Sequence, residues 1–185
     1  MSDPGPEESG SPSFALVATL VYSAFVLVAL AWLAMRDRIQ IVSEMAFGDA
    51  GPYGSLGIGT ALGLGLSGVI ALLCRYQGAF QRLEGRLQQA VGTLSEPEIL
   101  VVSMTSAIGE ELLFRCALQD AVGPYLSALI FGVLHTGPGL LLWGASAAVL
   151  GLTFSLMIDG GCGLLSVTVA HALINFLSLR RMSLS

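Results

Sequence analysis

The chain of 185 residues is 54% hydrophobic and only 11% charged, with a mean hydropathy of +0.78 and a formal net charge of −5. Soluble domains carry about 25% charged residues, so this composition excludes an ordinary water-soluble globule and leaves no length for a second domain beside a polytopic membrane one. All eight basic residues are Arg, with no basic patch and no interleaving with aromatics, which excludes a nucleic-acid partner.

The opening stretch MSDPGPEESGSPS (1–13) is rich in Pro, Gly and Ser, carries Asp3, Glu7 and Glu8, and reads as a disordered acidic tail. The run FALVATLVYSAFVLVALAWLAM (14–35) is long enough to cross a hydrocarbon core of ~30 Å at ~1.5 Å per residue. Acidic rather than basic residues precede it, so an uncleaved anchor is expected in place of a secretory signal. A second span, 55–73, is studded with Gly. Gly59 and Gly63 form a GxxxG pair, and Gly57, Ala61 and Gly65 continue a small-residue stripe suited to close packing within the chain. Beyond it Phe80, Leu83, Leu87, Val91 and Leu94 recur at spacings of three and four, with Arg82, Glu84, Arg86, Gln88 and Gln89 elsewhere. That pattern predicts an amphipathic helix lying along the membrane surface. Residues 14–97 thus form an N-terminal region of transmembrane helices and one interfacial helix.

From Glu98 the chain is apolar again. Turn signals at AVGP (121–124), TGPG (136–139) and DGGCG (159–163) predict helices at about 98–120, 124–135, 140–157 and 164–179. The second of these is too short for an untilted crossing. The fold class is all-α, a polytopic membrane protein of about six hydrophobic helices plus one interfacial amphipathic helix. With six crossings, Arg75, Arg82, Arg86, Arg180 and Arg181 share one side and Arg36 and Arg38 the other, which places both termini in the cytoplasm. Cys74, Cys116 and Cys162 are odd in number, far apart and set in or beside apolar runs, so buried thiols are expected and no disulfide framework.

Within 98–179 the ionisable residues are Glu98, Glu110, Glu111, Arg115, Asp120, His135, Asp159 and His171. Glu98, Asp120 and Asp159 fall at predicted ends or turns. The other five fall within predicted helices, where a central charge costs ~2.5–3.5 kcal/mol unless paired or wetted, and such residues are functional candidates by default. Glu111 and Arg115, at i and i+4, share a face within ion-pair reach. Glu110 points ~100° away and is left without that partner. His171 and Asn175 share a face in the same way. Two His, an Asn and a spare Glu in so apolar a stretch each need hydrogen-bond partners, and a shared wet cavity supplies them most cheaply.

If Glu110 and His135 flank one water, the carboxylate is a base for it. His171 and Asn175 then offer N–H donors to an oxyanion. Those parts suffice for amide hydrolysis without a covalent intermediate. No GxSxG elbow exists, and Ser106 or Cys116 would lack a dedicated base. Two other readings use the same residues: an intramembrane proton or ion pathway, and a non-catalytic membrane scaffold or immunity-type relative.

EExxxR (Glu110, Glu111, Arg115), FxxxH (Phe131, His135) and HxxxN (His171, Asn175), in that order, resemble the three motifs of the CAAX protease and bacteriocin-processing family, which includes the type II CAAX prenyl endopeptidases. The likeness covers about 99–180, so 98–180 is expected to be the catalytic region. The resemblance implies an intramembrane glutamic endopeptidase of a bacterial cytoplasmic membrane. Its partners would be the lipid bilayer and a membrane-anchored protein or peptide cut near its C-terminal segment. Glu110 would activate water with His135, while His171 and Asn175 would stabilise the oxyanion. Glu111, Arg115 and Phe131 would support the site. Two His and two Glu could bind zinc, but HExxH is absent and the family is regarded as glutamic-type, so no cofactor is expected. Cys116 stands where many relatives have Gly after the Arg.

Overall fold

A computed structural model describes residues 13–184, so the tail read at 1–13 lies almost wholly outside the described residues. Ser13 caps the first helix, its Oγ accepting from the Leu16 N–H at 3.2 Å. Helix α1 (Phe14–Met35) buries Ala15, Ala18, Ala29 and Leu33, a stripe of mostly small residues on which neighbouring helices lie close. A short turn, α2 (Ile41–Glu44), leads into α3 (Gly51–Tyr76) and then α4 (Gly78–Val91). Helix α4 ends at Gly92, whose φ of +74° no side-chain-bearing residue adopts readily. Leu94, which the apolar periodicity places on that helix, instead follows the break and is buried.

Helix α5 (Glu96–Glu111) starts two residues before the position predicted from hydropathy, because Ser95 and Glu98 form a capping box. At Leu112 the α-helix gives way to a π-helical segment, Leu112–Leu118, before α6 (Gln119–Val122) completes the same rod. Sequence periodicity does not reveal this widened turn, which opens directly after Glu111. Gly123 breaks the rod. Helix α7 (Pro124–Leu134), α8 (Leu141–Asp159) and α9 (Leu164–Leu184) follow at the predicted turns.

The rod from 96 to 122 is the centre of the bundle. Helix α1 runs parallel to it, with Tyr22 against Gly109 near the middle and Arg36 and Arg38 bound to Asp120 at the end. Hydrogen bonds from Arg38, and its charge, hold the Asp120 carboxyl below the ordinary range. Helix α9 runs antiparallel to the rod, its Arg180 pairing with Glu96. Helix α3 packs parallel to α9: a Cβ on Gly59 would meet the Ser166 backbone and one on Gly63 the Ala170 backbone. The GxxxG pair therefore serves packing within the chain, whereas Gly57 and Gly65 face open space. Helices α7 and α8 form an antiparallel hairpin closed at Gly132 and Gly144.

All described regular structure is helical, and α1, α3 and α8 are long and apolar enough to cross a membrane. Helix α7 has 11 residues, about 16 Å of rise, and cannot span alone. Arg181 pairs with Glu84 and Arg86 donates to the Gly139 carbonyl, so these Arg residues gather at one end of the bundle, opposite Arg36 and Arg38.

Candidate active site

Glu110 and Glu111 project from α5 where it meets the π-helical segment, and both are buried at 4% and 0% exposure. Adjacent helical residues diverge by ~100°, so the two carboxylates face different partners. One oxygen of Glu111 accepts from Arg115 Nε at 2.9 Å, the pair anticipated from i, i+4 spacing. Its other oxygen accepts from His171 Nδ1 at 2.7 Å, a contact the spacing did not announce.

Arg115, itself 1% exposed, donates from Nη1 to Ser155 Oγ on α8 at 2.9 Å. Its Nη2 has no hydrogen-bond acceptor; the guanidinium carbon instead lies 5.4 Å from the centre of the Phe131 ring. A cation over an aromatic face recovers part of the lost hydration. The Phe131 ring in turn stacks edge-on against Phe114 at 4.8 Å and lies 4.3 Å from the His135 imidazole. Phe131 thus joins the guanidinium to His135. Cys116 is fully buried in the π-helical segment, packed with Ala29, Leu33, Ile41 and Ala117.

His135 caps the end of α7. Its Nδ1 bonds the Phe131 carbonyl at 2.8 Å, and because a carbonyl only accepts, that nitrogen carries the proton. The Nδ1 of His171 is tied to Glu111 in the same sense. Both rings therefore present Nε2 to a single group: Glu110 lies 3.8 Å from His135 Nε2 through one oxygen and 3.4 Å from His171 Nε2 through the other. His135 is the most solvent-open of the three, with 18% of its side chain exposed, and Trp143 stands edge-on to it at 5.1 Å.

Glu110, Glu111, Arg115, Phe131, His135 and His171 thus converge from the rod, α7 and α9. Asn175 lies one turn beyond His171 and donates from Nδ2 to Ser106 Oγ at 2.9 Å. Ser106 stands one turn before Glu110 on α5, and this spacing was visible in the sequence. Ser155 and Gln119 had no such signal. Gln119 Nε2 binds the Ser155 carbonyl at 3.1 Å and Asp159 at 2.7 Å, which extends the polar network to the end of α8. Among the described residues no group of three or more His, Cys, Asp or Glu side chains is arranged to hold a metal ion. Glu111 and His171 Nδ1 are turned toward each other.

These features define a membrane-embedded helical protein with a buried carboxylate facing two imidazoles. Residues 93–177 match the family model described as type II CAAX prenyl endopeptidase Rce1-like, and this part of the chain is an Rce1-like domain. The matched segment contains all three motifs. The match covers a little under half of the chain and, together with the long apolar helices, points to an integral membrane protein that resembles CAAX-type proteases. No curated protein and no solved structure matches the chain.

Proposed function

We propose that the chain is a glutamic-type intramembrane endopeptidase that hydrolyses a peptide bond near the C-terminal end of a membrane-anchored protein, with Glu110 as the base for an attacking water. The observation that carries this reading is the pair of Nε2 atoms held on either side of the Glu110 carboxylate. The 3.8 Å between Glu110 and His135 exceeds a direct hydrogen bond but lets a water oxygen stand about 2.8 Å from both. Such a water donates one hydrogen to Glu110 and the other to His135 Nε2, which leaves its lone pair free to attack a carbonyl carbon.

As the oxygen–carbon bond forms, Glu110 takes the first proton. The oxyanion receives N–H donors from His171 Nε2 and from the Asn175 amide hydrogen not committed to Ser106. Glu110 then passes its proton to the amide nitrogen as the C–N bond breaks, so no covalent intermediate and no net proton change on the enzyme results. With His171 doubly protonated, Glu110, Glu111, Arg115 and His171 sum to zero net charge, so no buried charge in the cluster is left uncompensated. The domain division follows: 98–180 supplies the reacting groups, and 14–97 supplies helices that enclose and orient them.

The test uses protein reconstituted in liposomes with two probes, a fluorogenic farnesylated CAAX peptide and a reporter protein ending in a hydrophobic anchor helix. Cleavage of at least one is expected, with a loss of about 10²–10⁴-fold in Glu110→Gln and unchanged thermal unfolding. Cleavage retained by that variant, or absent for both probes in the unaltered protein, overturns the reading.

A further inference from the structure

His135 caps the C-terminal end of α7, and its one hydrogen bond, from Nδ1 to the Phe131 carbonyl, leaves the ring able to pivot about that bond. A pivot would change the 3.8 Å gap between Nε2 and Glu110 in which a water fits. Two aromatic rings stand against it. Phe131, from the FxxxH motif, lies 4.3 Å from the imidazole and is tilted by 43°. Trp143, on the first turn of α8 and outside all three motifs, lies 5.1 Å away at 84°. Edge-to-face is an arrangement that aromatic pairs prefer, and planes at such different angles block the pivot in different directions.

Packing builds this contact. A Cβ on Gly144 would stand 2.8 Å from the Gly132 carbonyl oxygen and 3.1 Å from Thr136 Cβ, and one on Gly132 would stand 2.7 Å from the Gly144 carbonyl oxygen. Gly144 directly follows Trp143 and Thr136 directly follows His135, so the approach that these glycines permit sets the indole beside the imidazole. A Trp near the end of a membrane helix is commonly an anchor at the lipid–water interface. Trp32, the other Trp of the chain, fits that role on α1, where it is 45% exposed. Trp143 is half-buried and set against an imidazole.

We infer that Trp143 is a positioning residue for His135, its ring holding the imidazole, together with that of Phe131, at the angle that turns Nε2 to Glu110. The hydrogen bond to the Phe131 carbonyl fixes one nitrogen, and the two rings fix the plane. Misplacing a reacting group by about 1 Å costs about 10²-fold in rate, so even partial loosening of the ring shows in kcat. Helices α7 and α8 thereby serve the site as one piece, α7 carrying the imidazole and α8 the wall that steadies it. This inference rests on Glu110 and His135 being the pair that activates water.

Trp143→Leu removes the aromatic plane, and Trp143→Phe keeps a smaller one. In the liposome assay kcat per folded molecule is expected to fall about tenfold in Trp143→Leu and no more than about threefold in Trp143→Phe, with KM within about a factor of two in both. His135 and His171 are the only histidines of the chain, so selective labelling gives two imidazole signals in nuclear magnetic resonance, told apart by His171→Gln. The ring current of the indole displaces the carbon-bound proton resonances of His135. These move in Trp143→Leu while those of His171 keep their positions. A purely structural role would lower the unfolding temperature and leave kcat per folded molecule unchanged. An unchanged kcat, an equal loss in both variants or an unmoved His135 resonance overturns the inference. A raised KM at constant kcat overturns it too, by placing Trp143 against the substrate. Should Trp143→Leu fail to fold, Trp143→Phe decides by the same rate and resonance. Unchanged kcat in Trp143→Leu with cleavage lost in Glu110→Gln overturns this inference alone, whereas full cleavage by Glu110→Gln overturns the base on which it rests.

Discussion

Glu111 holds His171 by Nδ1 at 2.7 Å, and that bond turns the other ring nitrogen toward Glu110. The same carboxylate holds Arg115 at 2.9 Å, so a single buried group orients an imidazole and neutralises a guanidinium. Removing its charge leaves Arg115 buried and uncompensated, a change that costs about 3–5 kcal/mol. Glu111→Gln is therefore expected to lower the unfolding temperature in detergent markedly and to lose cleavage as well. Glu110→Gln loses cleavage alone. Equal thermal stability of the two variants would contradict this division between neighbouring carboxylates.

Ser106 accepts one N–H of Asn175 and leaves the other free, which sets the direction of the carboxamide. Ser106→Ala removes one hydrogen bond of about 1 kcal/mol, roughly a fivefold fall in kcat. Since the carboxamide is assigned to the oxyanion rather than to ground-state binding, KM should stay nearly constant. A rise in KM with unchanged kcat would place Asn175 in substrate binding instead.

Gly63 and Gly65 separate packing from mere helix content. A Cβ at Gly63 would stand 3.0 Å from Ala170 Cα and 2.9 Å from Leu173 Cβ, whereas one at Gly65 meets nothing within 4 Å. Gly63→Leu should therefore destabilise the fold by about 1–3 kcal/mol by forcing α3 off α9, which carries His171. Gly65→Leu should be neutral or slightly stabilising, since Gly is about 1 kcal/mol poorer than Ala inside a helix. Thermal unfolding of both variants in the same detergent decides the matter. A matching loss in both would mean that the stripe acts through something other than the α3–α9 contact.

Much of the architecture was legible beforehand because helix length and apolar periodicity are local properties. The run 14–35 coincides with α1, and the turns at AVGP, TGPG and DGGCG separate the later helices. The i, i+4 spacing of Glu111 and Arg115 anticipated their ion pair, and three short motifs anticipated the Rce1-like match over residues 93–177. What escaped were features with no local sequence sign. The π-helical turn after Glu111, the break that detaches Leu94 from α4, and the bond between Glu111 and His171 depend on how separate helices dock.

The sequence by itself determined that this protein lives in lipid, that it is helical, and which few polar side chains its apolar half must accommodate. Composition and spacing along one chain settle those points, because the cost of placing charge in hydrocarbon does not depend on fold. The tertiary structure alone decided which polar groups meet. Hydrogen bonds reach about 3 Å, and whether groups 60 residues apart, such as Glu111 and His171, come within that reach depends on helix crossings set by small residues elsewhere in the chain.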